Sequence, residues 1–278
     1  MHKNCLLVLS CLLLPLTASA APRSLEMAPP AQAASGEDPC ADVGGRGNDD
    51  HARHCETREE TLPAGALAVD AGPNGGIRVE GWDQNDIQLQ AIVVAHAHSE
   101  ERARALAAEV EVETAGNRVR ANGPARSGGE GWSVSYRVHV PRQNDLELDA
   151  NNGGISISGV GGTMRFKTQN GGVHLTDLSG SVRGRAQNGG LNVSLAGQTW
   201  EGEGLDVETT NGGVTLAIPE AYNARLETRT VNRGFHTDFP LTVQGELNTR
   251  HGLTTTLGTG GAPVRVRTTN GGVRIKQR

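Results

Sequence analysis

The chain has 278 residues and a formal net charge of −5, which gives no reason to expect nucleic acid or an anionic membrane as a partner. Aromatic residues make up only 3% of the chain, whereas glycine occurs 38 times. Because Phe, Tyr and Trp supply much of the buried surface of a compact core, this composition argues against a spherical domain. It favours an elongated fold with a narrow aliphatic core.

The N-terminus has the pattern of a secretory signal peptide. Lys3 provides a positive charge, residues 6–16 are apolar, and Ala18-Ser19-Ala20 forms a small-x-small cleavage site. We predict that residues 1–20 are removed and that the mature protein is exported to the periplasm or the extracellular space. A lipoprotein signal at Cys11 is the alternative. The apolar run is too short to span a bilayer, and no later stretch of the sequence is long and apolar enough to do so.

Two cysteines remain in the predicted mature chain, Cys40 and Cys55. In an oxidising compartment such a pair favours a disulfide. The alternative is a zinc site that adds His51 and His54, but their spacing matches no established zinc pattern. We therefore predict a Cys40–Cys55 disulfide, no metal and no other cofactor. Residues 21–60 are rich in Pro, Ala, Gly and charge, so we expect them to be irregular apart from this loop.

An Asn-Gly-Gly triplet recurs along the chain and is the main evidence for the fold. From residue 152 onward the triplets and their degenerate copies lie 18 to 23 residues apart, a period typical of stacked supersecondary units. Complete triplets begin at Asn74, Asn152, Asn170, Asn188, Asn211 and Asn270. The degenerate copies are Asn232-Arg233-Gly234 and Arg250-His251-Gly252.

Apolar residues alternate with polar ones on both sides of each triplet, as in Met164, Phe166 before Asn170 and Val173, Leu175 after it. This alternation predicts a strand with one buried face, a corner, and a second strand. We expect the corners to use Asn and Gly because both residues tolerate positive φ.

Two architectures fit this pattern: an antiparallel meander of hairpins, and a parallel β-solenoid in which each repeat forms one coil. The outward residues three and five places before each Asn are charged, and they favour the solenoid. In-register stacking would place acids beside bases on neighbouring coils. The expected neighbours are Glu147 and Arg165, Asp149 and Lys167, and Arg185 and Glu208.

The repeat is interrupted between Gly81 and Pro141. Ser99 precedes a run rich in Glu, Ala and Arg, which predicts one short helix over 99–108 with Ser99 as its N-cap. Further strands are predicted at 87–94, 110–112, 118–121 and 134–140.

Several long runs resemble the bacterial DUF4097 family: GGIRVEGWDQNDIQLQA, WSVSYRVHVPRQNDLELDANNGGISISGV, LDVETTNGGVTLAIP and VRTTNGGVRI. The resemblance covers Leu62 to Arg278. It implies an all-β, right-handed parallel β-helix in an exported, adhesin-like protein, with no established enzymatic activity and no catalytic residues to transfer. The expected organisation is a signal peptide (1–20), an irregular segment (21–60) and a β-solenoid (61–278).

The preferred function is a non-enzymatic binding or scaffold module. Its candidate surface is a basic block formed by Arg165, Lys167, Arg183 and Arg185, which could meet an acidic envelope glycan or an envelope protein. The alternative interpretation of this block is an ordinary solvated strand face.

Two other functions remain open. A polysaccharide-active enzyme would need two carboxylates about 5–10 Å apart, for which Asp149 with Asp206 or Asp177 with Glu208 are the candidates. A structural or stress-linked envelope protein would act through a partner protein. For that role we expect an uncapped solenoid edge at residues 273–276.

Overall fold

The structure is a computed structural model that describes residues 39–42, 51–239, 247–248 and 252–278. The predicted signal peptide, with Cys5 and Cys11, lies outside the described residues, as do Arg250 and His251.

Strands dominate the described part of the chain. The helices are α1 (Pro39–Asp42) and α2 (Glu100–Ala108), with a 3-10 turn at Ala115–Asn117. The strands before the first complete coil are β1 (Ala52–Pro63), β2 (Leu67–Asp70), β3 (Ile77–Trp82), β4 (Asp86–Ala97), β5 (Glu111–Glu113), β6 (Arg118–Asn122) and β7 (Gly131–Pro141). The next are β8 (Leu146–Asn152), β9 (Ile155–Ser158), β10 (Gly161–Asn170), β11 (Val173–Thr176), β12 (Ser179–Asn188), β13 (Leu191–Ser194), β14 (Gly204–Asn211) and β15 (Val214–Ile218). The last are β16 (Ala224–Thr230), β17 (Phe235–Thr237), β18 (Leu247–Asn248), β19 (Gly252–Leu257), β20 (Pro263–Thr268) and β21 (Val273–Gln277).

The strands form two long sheets. Sheet A has the order β1-β4-β7-β3-β9-β11-β13-β15-β21-β17, and sheet B has the order β18-β19-β16-β20-β14-β12-β10-β8-β2-β6-β5. The coil strands of both sheets pair in parallel, whereas antiparallel pairs occur at the ends of the sheets.

Each coil consists of one sheet B strand, a corner and one sheet A strand. Neighbouring coils stack in register, so that Met164 lies beside Leu146 on one side and Val182 on the other. The three predicted charge neighbours are confirmed, because in register Arg165 lies beside Glu147, Lys167 beside Asp149 and Arg185 beside Glu208. Parallel pairing of successive coils excludes the hairpin meander for this region.

The inward residues of the two sheets form one narrow core of stacked aliphatic rows. Among the aromatic rings of this core, that of Phe166, which is 5% exposed, lies over Gly184 of the next coil. A Cβ atom at Gly184 would lie 2.1 Å from Cζ of Phe166. The missing side chain at Gly184 therefore provides the space that the ring occupies.

The final coil does not lie at the end of the stack. Strand β20 pairs with β14 on one side and with β16 on the other, and β21 lies between β15 and β17. The expectation of an uncapped edge at residues 273–276 is therefore wrong. The strands that follow β15 in sequence, β16 and β17, are not the neighbours of β14 and β15. The C-terminal strands β20 and β21 lie between these two coils and pair with both.

The degenerate copy at Arg250-His251-Gly252 was expected to form another corner. Strand β19 begins at Gly252, but it pairs antiparallel with β16 and with the short β18. The pairing of β18 with β19 is therefore antiparallel, unlike the parallel pairing of the coil strands. Arg250 and His251, where the corner was expected, lie outside the described residues.

The N-terminal end of sheet A is more regular than expected. Residues 52–60 were predicted to be irregular, but they belong to β1, which pairs antiparallel with β4 over the whole range Ala52–Pro63. The predicted disulfide is present between Cys40 and Cys55, with a Cα–Cα distance of 6.0 Å. It fastens α1 to this strand and uses both sulfur atoms that the alternative zinc site would need.

The insertion between Gly81 and Pro141 matches its prediction closely. Helix α2 begins after Ser99, whose hydroxyl accepts a hydrogen bond from the backbone N–H of Arg102. Arg58 of β1 donates to the carbonyl oxygens of Ala107 (2.9 Å) and Val110 at the other end of the helix. A cation at this position satisfies carbonyl groups that the helix leaves free and stabilises its dipole.

Candidate functional site

The basic block lies on the outer face of sheet B. Arg165 and Lys167 project from β10, and Arg183 and Arg185 project from the adjacent β12. The register places Arg165 beside Arg183 and Lys167 beside Arg185, so the four cations form two rows across two strands about 4.8 Å apart. All four side chains are exposed. The structure therefore brings together all the binding residues that the sequence singled out.

The lower row, Lys167 and Arg185, is neutralised by neighbouring coils. Nζ of Lys167 lies 2.6 Å from Oδ2 of Asp149, and Nε of Arg185 lies 2.7 Å from Oε1 of Glu208. The hydrogen bond to Asp149 raises the pKa of Lys167, and the charge of the same carboxylate adds to the shift. These exposed pairs contribute little to stability, at most about 1 kcal/mol each.

The upper row, Arg165 and Arg183, is different. Within the part of the chain that the structure describes, neither guanidinium group makes an ion pair. The acid beside Arg183 in register is Asp206, and it pairs with Arg267 of the C-terminal coil instead. The block thus contains two cations with carboxylate partners and two without.

A ladder of asparagine side chains follows the corners. Each Nδ2 donates to Oδ1 of the next Asn in one direction along the stack, at distances of 2.5–2.8 Å. The donor-to-acceptor order is Asn232, Asn270, Asn211, Asn188, Asn170, Asn152. Asn74 forms a parallel bridge with Asn152 at the end of this series. The ladder includes the degenerate corner at Asn232 and follows spatial order rather than sequence order.

The expected reason for glycine at the corners is wrong. Among the described residues, the only non-glycine residues with positive φ are Asn117 and Asp177, and the first glycine of the later triplets is not in that region either. Glycine is required because the coils approach closely. A Cβ atom would lie 1.8–2.0 Å from a carbonyl oxygen of the preceding coil at Gly153, Gly171, Gly189, Gly212 and Gly271.

Buried threonines beside the corners were missed by the sequence analysis. The hydroxyl groups of Thr168, Thr209, Thr230 and Thr268 donate to glycine carbonyl oxygens of a neighbouring coil at 2.6–2.9 Å. Each threonine lies two residues before a corner Asn, in a row that otherwise contains Ala150 and Ala186. A hydroxyl group recurring at an inward position was the available signal, because a buried polar group needs a hydrogen-bond partner.

The proposed catalytic pairs do not fit a glycosidase site. Asp149 and Asp206 are separated by three strand spacings, about 14 Å, and each forms an ion pair, with Lys167 and Arg267 respectively. Asp177 follows a strand of sheet A, whereas Glu208 lies on a strand of sheet B. The required carboxylate separation is about 5–10 Å.

Asp177 instead binds the C-terminal residue. The guanidinium group of Arg278 donates to both carboxylate oxygens of Asp177 and to the carbonyl oxygen of Leu195 (2.7 Å). The hydrogen bond to Asp177 raises the pKa of Arg278. Because β21 lies beside β15, this contact crosses the two intervening coils and fastens the inserted coil to the stack.

Neither a metal centre nor a membrane span is found in residues 39–42, 51–239, 247–248 and 252–278. These ranges contain no cluster of three or more His, Cys, Asp or Glu side chains that could hold a metal ion. No helix within them has the length and hydropathy needed to cross a bilayer.

Comparisons with known proteins identify the family of this chain. No curated protein matches the chain. A solved structure from Clostridium sporogenes, described as "a putative cell adhesion protein", is 11% identical, with a TM-score of 0.39 and coverage of 80% of this chain and 100% of its own. A "putative adhesin" from Bacteroides fragilis is also 11% identical, with a TM-score of 0.30 and coverage of 81% and 97%. The Toastrack DUF4097 family model matches residues 65–276, and the chain therefore belongs to the Toastrack DUF4097 family.

Proposed function

We propose that this protein is an exported, non-enzymatic, adhesin-like binding module that contacts its partner through the outer face of sheet B. One observation carries the proposal. Four basic side chains from two adjacent strands form a continuous exposed patch on a protein whose net charge is negative, and two of them, Arg165 and Arg183, have no carboxylate partner among the described residues. A flat sheet face with a local charge of this sign suits an acidic polymer of the cell envelope.

The proposal includes the wider organisation expected from the sequence. Residues 1–20 act as the signal peptide, and residues 61–278 form a right-handed parallel β-solenoid built from Asn-Gly-Gly repeats of about 18–23 residues. The inserted C-terminal coil and the Asn ladder support a rigid stack, which would hold the patch in one fixed geometry.

The two alternative functions have less support. The alternative of a stress-linked protein that recruits a partner by strand addition depended on an open strand edge at residues 273–276. Strand β17 pairs with residues 273–275, so that edge is not open. The enzyme alternative needs two neighbouring carboxylates, and neither candidate pair supplies them. Asp149 and Asp206 are too far apart, and Asp177 binds Arg278.

An affinity capture from envelope extract tests the proposal. The bait is the mature chain, residues 21–278, and the matched control carries Arg165→Glu, Lys167→Glu, Arg183→Glu and Arg185→Glu. The reversal places acids beside Asp149 and Glu208, so thermal melting of the control is measured alongside capture, and the corresponding four-Gln variant replaces a control that does not fold. We expect a glycan or protein captured by the original chain alone. Capture of the same partners by both baits would contradict a binding site on this face.

A further inference from the structure

The basic block contains a smaller feature with its own chemistry. Register pairing of β10 with β12 places Thr163 beside Ser181 and Arg165 beside Arg183, and all four residues alternate to the outer face of sheet B. Together they line a shallow pocket of about 240 Å³, along with Met164 and Glu203. Two residues with guanidinium groups and two with hydroxyl groups thus line one pocket from neighbouring strands about 4.8 Å apart.

The charge of this pocket is only partly balanced by carboxylates: Glu203 lines it, but no carboxylate of the described residues forms an ion pair with Arg165 or Arg183. Asp206 is paired with Arg267, and Glu147 lies beside Arg165 in register without forming an ion pair in the described part of the chain. Two like charges held on adjacent strands destabilise the sheet slightly. An anion bound between them would remove that repulsion.

The donors fit a particular class of anion. Guanidinium groups bind phosphate and sulfate through pairs of N–H donors, and hydroxyl groups can donate to the remaining oxygen atoms. A tetrahedral oxyanion has enough acceptor oxygens for donors arriving from two strands, whereas a planar carboxylate has only two.

We propose that Thr163, Arg165, Ser181 and Arg183 form a seat for one phosphate or sulfate ester group of an envelope glycan. This inference rests on the proposed function and narrows it. Lys167 and Arg185, although equally basic, are engaged by Asp149 and Glu208 and contribute to register rather than to binding.

Glu203 provides an independent check of the seat. Its exposed carboxylate lines the same pocket, where it repels a bound anion. Glu203→Gln should therefore strengthen binding of the oxyanion, whereas a substitution that preserves charge, Glu203→Asp, should leave the affinity nearly unchanged.

The test measures calorimetric binding of the full mature chain to dextran sulfate and to phosphorylated dextran of the same length. Carboxymethyl dextran and unmodified dextran serve as controls. Two double variants remove the same amount of charge: Arg165→Gln with Arg183→Gln, and Lys167→Gln with Arg185→Gln. We expect the first variant to lose about tenfold or more in affinity for the ester that binds and the second to lose much less. Binding of only one dextran ester would identify the source as phosphate or sulfate.

Several results would overturn the seat. Equal losses in both double variants would indicate general attraction to a basic face, which leaves the proposed function intact. Equally tight binding of carboxymethyl dextran would contradict the tetrahedral preference. If the original chain bound neither ester, the seat would be wrong, while envelope capture would still decide the proposed function. Thermal melting of both variants controls for folding.

Discussion

The two glycines of one corner should respond to the same substitution in opposite ways. A Cβ atom at Gly171 would lie 2.0 Å from the carbonyl oxygen of Gly153, but at Gly172 the nearest atom would be 3.7 Å away, at the carbonyl oxygen of Gly190. Neither glycine has a positive φ, so backbone strain does not distinguish them. Gly171→Ala and Gly172→Ala therefore isolate the effect of close coil stacking.

The size of the effect follows from the contact. Relieving the clash at Gly171 would move its coil away from that of Gly153 by about 1 Å, which disturbs the hydrogen bond between these coils from the N–H of Ile155 to the carbonyl of Gly172 (3.0 Å). Overpacking typically costs about 1–3 kcal/mol, and a rigid backbone neighbour places Gly171→Ala at or above the upper value. Gly172→Ala should stabilise the fold by about 0.4–1 kcal/mol, because alanine restricts the unfolded chain.

Thermal unfolding followed by circular dichroism measures both variants. A domain of this size changes its melting temperature by about 2–4 °C per kcal/mol, so Gly171→Ala should melt about 6–12 °C lower than the original chain. Gly172→Ala should melt at the same temperature or slightly higher. Equal melting of the two variants would refute close stacking as the reason for the first glycine.

Three further predictions concern the core and the inserted coil. Gly184→Ala should destabilise the fold because the new Cβ atom would overlap the ring of Phe166, and adding Phe166→Leu should recover part of the lost stability. Urea unfolding of the two single variants and the double variant measures this coupling, and additive destabilisation would contradict the packing of the ring over Gly184. Thr209→Val should cost about 1–3 kcal/mol in the same assay, since the carbonyl of Gly189 loses its buried donor, and an unchanged unfolding midpoint would argue against that role. Deletion of residues 262–278 should abolish hydrogen-exchange protection of the β16 amides that bond to the deleted residues, such as the N–H of Arg225, which donates to the carbonyl oxygen of Ala262, while β10 and β12 stay protected. Retained protection at these β16 positions would show that the final coil is not inserted there.

The repeat made much of the coil architecture predictable. Alternation around each triplet located the strands, and the charges at Glu147 and Arg165 indicated the parallel register between neighbouring coils. The basic block was predictable for the same reason, because register fixes which outward side chains become neighbours. The spacing of the repeats is sufficient to predict the strand register wherever each coil contacts the coil that follows it in sequence.

The order of the last coils was not predictable from that spacing. Residues 263–277 have the same pattern as the other coils, and nothing in a local repeat states that they enter between β14 and β16. The ion pairs of the basic block were likewise not predictable from the sequence. Asp206 forms its ion pair with Arg267, which lies close to it only because the C-terminal coil is inserted beside β14. Long-range pairing of this kind depends on competition between partners in space.

The central claim is that a partner binds the upper row of the basic block on sheet B. Amide chemical shifts of the isotope-labelled mature chain, titrated with the dextran ester that binds, test it most directly. We predict that the largest changes occur at Thr163–Arg165 and Ser181–Arg183, with little change at Ser156, His174 and Asn192 on the outer face of sheet A. Changes concentrated on sheet A, or spread evenly over both sheets, would contradict the claim.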